Sequence, residues 1–511
     1  RAGGKPPRRR ANFHSHGAPT RATMSPMRRL PILLVFVLSA AGCLHVPDRA
    51  EMAALRADAA VGRLQQRERE CGADGAPSFS GDLSLRQAVD MALERNLAYR
   101  KELLARDIAR GRILSAREEM LPTLSASGGW TRFDGELRND AGSVTRYRDQ
   151  YSASATLTQP LFNARAATAA RAAALHGEWV ELEIRQAEEQ LRFDVGRAYY
   201  AAVLSESLLA VQSNSLATAE SQLSDVRARR RQGMAGNYDE LRAEVEVANF
   251  SAQVSSAREA RIEAYTALYR LLRLPPDSDM HLLDPIPLVP ETIDFPPAVF
   301  CALSRRSDLA AADYAVRLRH EAAESVRAGY FPAISAFFSE EAADPDPKGG
   351  GDKWGNQWKA GLNASWTLFD GFARRGELMQ ARAEERQLAL ALRDAEEAAE
   401  SEIRQMVLTL RTAEEFAKSQ SKNLETAKEA LRLVQTGLRE GQNTPVEVMD
   451  AREALSIAVA NYYRSIYDHA IARMQLQKAM GLIAEGPLPD EPVLVPPGEL
   501  SRAARAAEEE E

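Results

Sequence analysis

The chain has 511 residues, 45% of them hydrophobic and 27% charged, which is enough apolar matter for a large folded body and excludes wholesale disorder. A net charge of -7 argues against a nucleic-acid binder, and three cysteines are too few for a disulfide scaffold. Aromatic residues make up only 6% while alanine fills the middle of the chain, a composition of long helices in close contact rather than of a compact aromatic-cored enzyme.

The first stretch is basic. Residues 1–42 hold Arg1, Lys5, Arg8, Arg9, Arg10, Arg21, Arg28 and Arg29 and no acidic residue. Leu30–Ala41 is an apolar run too short to span a bilayer, and it fits the hydrophobic region of a signal peptide. Met24 or Met27 is then the start, with residues 1–23 upstream of it. The run ends Leu38-Ser39-Ala40-Ala41-Gly42-Cys43, which resembles a lipobox with Ala40 where a larger aliphatic residue is usual. We therefore read 1–42 as a signal peptide and 43–80 as a segment lipidated at Cys43. The plainer alternative is a secreted chain with a free thiol there. Leu44, in place of aspartate, favours the outer membrane. No metal or cofactor beyond this covalent lipid is expected. Cys71 has no partner at metal-ligand spacing, and Cys301 sits in an apolar run that predicts a buried helix residue.

The rest of the chain repeats itself. Ala88-Val89-Asp90-Met91-Ala92-Leu93 matches Ala298-Val299-Phe300-Cys301-Ala302-Leu303. Leu121-Pro122-Thr123-Leu124-Ser125-Ala126 matches Phe331-Pro332-Ala333-Ile334-Ser335-Ala336, and Leu161-Phe162-Asn163 matches Leu368-Phe369-Asp370. Gly233 and Asp239 correspond to Gly441 and Glu447. A period near 210 residues is too long for a solenoid and reads as a duplicated domain-sized unit. The units are 81–274 and 298–485, joined by a linker at 275–297 that carries seven prolines; residues 486–511 form a tail.

Each unit predicts the same order of elements. A helix (Ser84–Met120, then Pro297–Ala328) is stopped at Leu-Pro or Phe-Pro. Two strands follow: Thr123–Arg132 with Tyr151–Thr158, and Ala333–Glu340 with Trp358–Thr367. Leu362, Ala364, Trp366 and Leu368 alternate with Gly361, Asn363, Ser365 and Thr367, the pattern of a barrel strand. Trp130, Trp354, Trp358 and Trp366 fall in or beside these strands, as interface-belt residues or as core packing. Very long helices come next, Ala164–Arg231 and Phe372–Glu440. At 1.5 Å per residue, each reaches roughly 100 Å. Leucines at 209, 216 and 223 and at 424, 431 and 438 recur every seven residues, which suits coiled-coil packing. A break and a helix of about 37 residues close each unit.

Four strands cannot close a barrel, and open strand edges are not tolerated in lipid. Three copies give twelve strands, an even number that closes. The expected fold is therefore an α+β membrane protein: coiled-coil helices in an α-barrel, plus four strands per chain in a 12-stranded trimeric β-barrel. Enzyme readings fail. His320-Glu321-Ala322-Ala323-Glu324 lacks the second histidine of a zinc helix, Gly349-Gly350-Gly351 reads as a turn, and neither a nucleophile elbow nor a phosphate loop is present.

These ordered motifs resemble the TolC-like outer-membrane efflux proteins, or outer membrane factors, across residues 80–485. The shared set comprises the duplicated units, the Leu-Pro approach to the strands, the Leu-Phe-Asn/Asp exit and the helix-break motif. That motif runs from Gly233 to Asp239 in one unit and from Gly441 to Ala451 in the other. The resemblance implies a homotrimer in outer-membrane lipid that extends into the periplasm. It would act as a passive duct coupled to an inner-membrane transporter through a periplasmic adaptor (membrane fusion protein). It implies a periplasmic aperture at Asp239, Glu447 and Asp450, and adaptor-docking tips at Gly233, Gly236, Gly441, Thr444 and Pro445. In the family an arginine and a tyrosine hold the aperture closed with the aspartate; their positions here are Asn443 and Leu438, so another tie must serve. On the residues alone, a lipid-anchored periplasmic coiled-coil tether without a pore remains the rival reading.

Overall fold

The structure, a computed structural model, describes residues 49–72, 80–138, 140, 144–275, 278–290, 293–346 and 354–483. Cys43, the Gly349–Gly351 turn and the tail lie outside the described residues. Helix α1 (Arg49–Gly72) belongs to a separate unit, residues 1–77. All the following elements belong to the second unit, which starts at Ser78. No helix among the described residues is long and apolar enough to cross a membrane.

The same succession of elements occurs twice. Short β1 (Gly81–Leu83) leads to α2 (Leu85–Arg95) and α3 (Leu97–Glu118). Then come β2 (Thr123–Arg132), a small hairpin of β3 (Leu137–Arg138) and β4 (Val144–Arg146), and β5 (Asp149–Phe162). The chain returns as α4 (Ala164–Arg231) and reverses into α5 (Asn237–Leu272). After β6 (Met280–Leu282), the second round runs α6 (Phe295–Arg305), α7 (Ser307–Ala328), β7 (Ala333–Asp344), β8 (Gly355–Ser365), α8 (Ala373–Arg439) and α9 (Pro445–Ala479).

Three local expectations are corrected. The single helix predicted for 84–120 is broken at Asn96, which is extended (φ -64°, ψ 122°), closes α2 and starts α3. Its side chain accepts from the Ala98 and Tyr99 N–H groups at 2.9 and 3.2 Å and donates to the Leu271 carbonyl at 3.2 Å. An asparagine that satisfies two orphan donors favours a cap over a helix interior. Arg306 makes the equivalent break in the second round, held by Asp308 and Glu402. The proline-rich stretch 275–297 is extended but not free: β6 pairs in parallel with β1, and Pro296-Pro297 lie in the first turn of α6, where a missing N–H costs nothing. The strands also run beyond their expected ends at 158 and 340, although the last stops at Ser365.

The core sits about half-way along the long helices. Tyr199, Tyr200 and Val195 of α4 pack with Leu268 and Leu272 of α5, Met474 of α9 and the small β1–β6 sheet. Here α4 and α9 approach so closely that a Cβ on Gly196 would meet the Met474 methyl at 2.2 Å. The Tyr199 hydroxyl donates to the Leu83 carbonyl at 2.8 Å and accepts from the Asp284 N–H at 3.0 Å, and burial pushes its pKa up to about 12. A second cluster joins α6, α8 and α9 through Ile403, Leu410, Leu476, Met480 and the buried thiol of Cys301. Away from these clusters, the heptad leucines lie half-buried, and Leu223 buried, along the helix seams.

One guanidinium ties the sheet to the helices. Arg374, in the first turn of α8, is 7% exposed. It pairs with Asp370, donates to the Gly329 carbonyl at 2.5 Å and the Thr367 carbonyl at 2.7 Å, and lies over the Tyr330 ring at 4.7 Å. It thus joins the end of α7, the exit of β8 and the start of α8. Arg374→Ala would strand a carboxylate and two carbonyls, at a cost of about 3–5 kcal/mol. Arg374→Lys should recover little, because an ammonium lacks the planar fork. Thermal unfolding in detergent checks this, and equal melting of the lysine variant and the parent would contradict it.

Candidate functional site: the sheet faces and the helix tips

The four-stranded sheet has the order β2-β5-β7-β8, antiparallel throughout, with β2 and β8 at its edges. Pairing fixes which residues share a face. Thr123 pairs with Thr158, Ser125 with Thr156 and Ser127 with Ser154; Thr156 pairs in turn with Ser339, and Ser339 with Lys359. Hydroxyls meet across the strands, Ser127 to Ser154 at 2.8 Å and Thr156 to Ser339 at 2.9 Å. The opposite face carries Leu124, Ala126 and Trp130 on β2, Ala155 and Leu157 on β5, Phe338 on β7, and Trp358 and Leu362 on β8. Its larger side chains are exposed: Leu124 by 76%, Trp358 by 69% and Leu362 by 72%. Its charged residues, Arg132, Asp149, Glu340 and Asp344, all fall in the loop-proximal part of the strands. One face is thus apolar and the other lined by hydroxyls.

At the far end of the long helices, each hairpin turns on a glycine in left-handed conformation, Gly233 at φ +74° and Gly441 at φ +76°. Only glycine takes that region without strain. Gly236 is not such a turn residue, with φ -83°; its contribution is an N–H donated to the Asp239 carboxylate at 2.9 Å. In the second hairpin, Thr444 caps α9, whose first position is Pro445. The Glu447 carboxylate accepts from the Thr444 N–H at 2.8 Å and from the Asn443 amide at 3.0 Å. Those two donors hold its carboxyl below the usual carboxylate range.

Asp450 points elsewhere. Its carboxylate lies 3.6 Å from the Arg242 guanidinium of α5. Close by, Arg452 of α9 donates to Gln222 of α4 at 2.8 Å, and Ser215 of α4 donates to Ser456 of α9 at 3.1 Å. Glu246 is half-buried beside Arg452; burial raises its pKa, and Glu453 adds to the shift. Asp239, Arg242, Leu438, Met449 and Arg452 share a groove of 560 Å³ between the two hairpins. The arginine-rich end of α4 is largely paired across its own hairpin, Arg227 with Glu240 and Glu244 at 3.1 and 2.7 Å, and Arg230 with Glu240.

Asp239 thus lines the groove, Asp450 is tied to it only through Arg242, and Glu447 faces its own turn. Sequence reading missed Arg242, whose partner is 208 residues away. It also missed Met234, Tyr238, Leu241 and Val245, all more than half exposed. The last three, spaced three and four residues apart, form a stripe on α5 that the sequence does carry, with Met234 in the turn before it. Among the described residues no cluster could hold a metal ion.

This arrangement, a half-apolar sheet on paired helices some 100 Å long, belongs to a membrane duct subunit. The outer membrane efflux protein family matches residues 88–272 and 301–482, and the chain belongs to that family. It is 24% identical over 468 residues to outer membrane protein OprJ of Pseudomonas aeruginosa, a match spanning 88% of this chain and 94% of OprJ. Among solved structures, a membrane protein from Pseudomonas aeruginosa superposes with a TM-score of 0.68 at 23% identity, covering 81% of this chain and 93% of that one. The open state of the MtrE outer membrane channel of Neisseria gonorrhoeae gives 0.66 at 22%, covering 78% and 89%. The fold is that of the TolC-family channels, and the chain is the outer-membrane channel component of a tripartite efflux system, not an enzyme.

The Glu447 cap makes the second tip sensitive to acid. A carboxyl with a depressed pKa stabilises the fold above the ordinary carboxylate range and loses that contribution as pH falls through its own value. Limited proteolysis read by mass spectrometry should find the 441–444 turn resistant at neutral pH and open only well into acid. Glu447→Ala should expose it several-fold at neutral pH, and Glu447→Gln, which keeps an acceptor, should do so less. Equal cleavage of the parent and the alanine variant would remove the cap assignment.

Proposed function

We propose that three copies of this chain close their sheets into a 12-stranded barrel in the outer membrane, with the long helices continuing it as a periplasmic duct. The observation that carries this is the sheet itself. Among the described residues its edge strands β2 and β8 pair on one side only, one face is apolar and the other is hydroxyl-lined. Open edges cost several kcal/mol per unsatisfied group in hydrocarbon, and closure through further copies removes every edge. Exposed Trp130 and Trp358 near the loop ends suit the interface with headgroups. A lipid on Cys43 would add an anchor, in keeping with the Leu38–Cys43 motif.

The helix tips form the periplasmic aperture and take the adaptor, which links the duct to an inner-membrane transporter. The turns at Gly233 and Gly441–Pro445, with Met234 and the exposed Tyr238–Val245 stripe beside the first, present the adaptor-docking surface. Asp239, Glu447 and Asp450 line the aperture. Because Asn443 is engaged in its own turn, the two hairpins are held together by the Arg242–Asp450 pair and the Arg452–Gln222 bond. Opening separates these contacts as the helices move like an iris, biased by adaptor binding.

Native mass of the detergent-extracted protein tests the assembly. A trimer is expected; a stable monomer would overturn it. Cys43→Ser should abolish lipid incorporation and leave the trimer intact, as read by mass spectrometry. In planar bilayers, Arg242→Ala should raise conductance several-fold over the parent, whereas the exposed Arg171→Ala should not. Equal conductance of the parent and Arg242→Ala would remove the tie from the gate.

A further inference from the structure

On the hydroxyl face of the sheet, only two residues are of acidic or basic type: Glu341 of β7 and Lys359 of β8. They are diagonal neighbours on adjacent strands, Nζ to carboxylate 3.9 Å, and Gln357 donates to the same carboxylate oxygen at 3.0 Å. Ser154 pairs with Glu341 from the other side. The Lys359 side chain is 62% exposed and that of Glu341 31%, and an ion pair so placed adds at most about 1 kcal/mol to stability. Holding the strands together is therefore a weak reason for it; the hydroxyl rungs and backbone ladder already do so.

A charge at this position has a larger consequence for what passes. In a closed barrel each charged residue is repeated in every copy, and a ring of like charges in a low-dielectric wall focuses a potential of several kT on the lumen. A ring of opposed pairs leaves almost none. We infer that the barrel wall is charge-balanced, Lys359 cancelling Glu341, so that the membrane segment of the duct admits solutes of either sign, including neutral and zwitterionic organic molecules. Glu341 and Lys359 are the residues that set this indifference. The inference rests on the barrel reading above and extends it to the class of cargo. Selection by charge is left to other parts of the assembly, and the hydroxyls offer both donors and acceptors to whatever passes.

The test reads the lumen directly. Ser154→Cys places a thiol on the hydroxyl face beside Glu341, and Ala155→Cys places one on the apolar face. Purified protein in liposomes is reacted at low ionic strength with cationic trimethylammonium-ethyl and anionic sulfonato-ethyl methanethiosulfonates, with the unaltered protein as background. The cation-to-anion rate ratio at Ser154→Cys should lie within about twofold of that for a free small thiol. Adding Lys359→Gln should shift it roughly five- to tenfold toward the cation, and adding Glu341→Gln should shift it toward the anion. Both shifts should shrink in 1 M salt. A strongly skewed ratio in Ser154→Cys alone, or no movement on either charge change, overturns charge balance. If Ser154→Cys and Ala155→Cys react alike, the barrel reading itself fails and the inference falls with it. The two failures are therefore distinguishable.

Discussion

Hydrogen-bonding groups that lipid cannot satisfy govern this architecture. A sheet of four strands has two open edges however well its interior is paired, and a face bearing Leu124, Leu157, Trp358 and Leu362 belongs against hydrocarbon. A single copy can meet one of these demands only by violating the other: in water the apolar face is exposed, and in lipid the edges are bare. The secondary structure of one copy alone therefore leaves one of the two demands unmet. The long helices inherit the same logic. Apolar residues on α3, Leu97, Leu104, Ile108 and Leu114, and on α8, Met379, Leu390 and Leu433, remain exposed in one copy.

The position of the core follows from helix length. Helices of 68 and 67 residues, each packed on shorter helices, cannot bury a thick interior along a two-helix seam. They acquire one only where additional elements wrap them, and this is the place of α2, α6 and the β1–β6 sheet. Tyr199 fastens that wrap through Leu83 and Asp284, and Gly196 allows α4 and α9 to close beneath it. Toward the tips, the seams are held by small and polar contacts, such as Ser215 with Ser456 and Arg452 with Gln222. Such contacts are individually weak and exchangeable. At the opposite end, Arg374 fixes the helices to the sheet with charge-assisted bonds that tolerate little displacement.

Much of this was legible in the sequence, because long-period and short-period patterns survive without tertiary context. The bounds Ala164–Arg231 follow from an asparagine cap at one end and a glycine turn at the other, both local signals. Alternation in the strands gave the faces. Features that depend on a distant partner were hidden. Asn96 looks like a helix residue until the Leu271 carbonyl is in place, and the three-residue strands β1 and β6 are too short to show a period. Arg242 is one of many surface arginines on a helix until α9 lies beside it. The exposed row Tyr238, Leu241 and Val245 is different: its helical spacing is a local pattern that needs no distant partner.

Paired charge recurs from one end of the chain to the other. The acidic residues expected at the aperture do not act as a bare ring within the chain, since Asp450 is matched by Arg242 and Glu447 is spent on its own turn. The basic end of α4 is likewise met by Glu240 and Glu244. The sheet repeats the device with Glu341 and Lys359. A duct that must release what it receives has a physical reason for this economy. Each unpaired charge facing the lumen would be a site where a counter-charged solute lingers, and binding that is too favourable slows exit as surely as repulsion prevents access. Pairs within a chain leave dipoles instead of charges, whose fields fade over a few ångströms, so that movement outward depends on the pump at one end and dilution at the other.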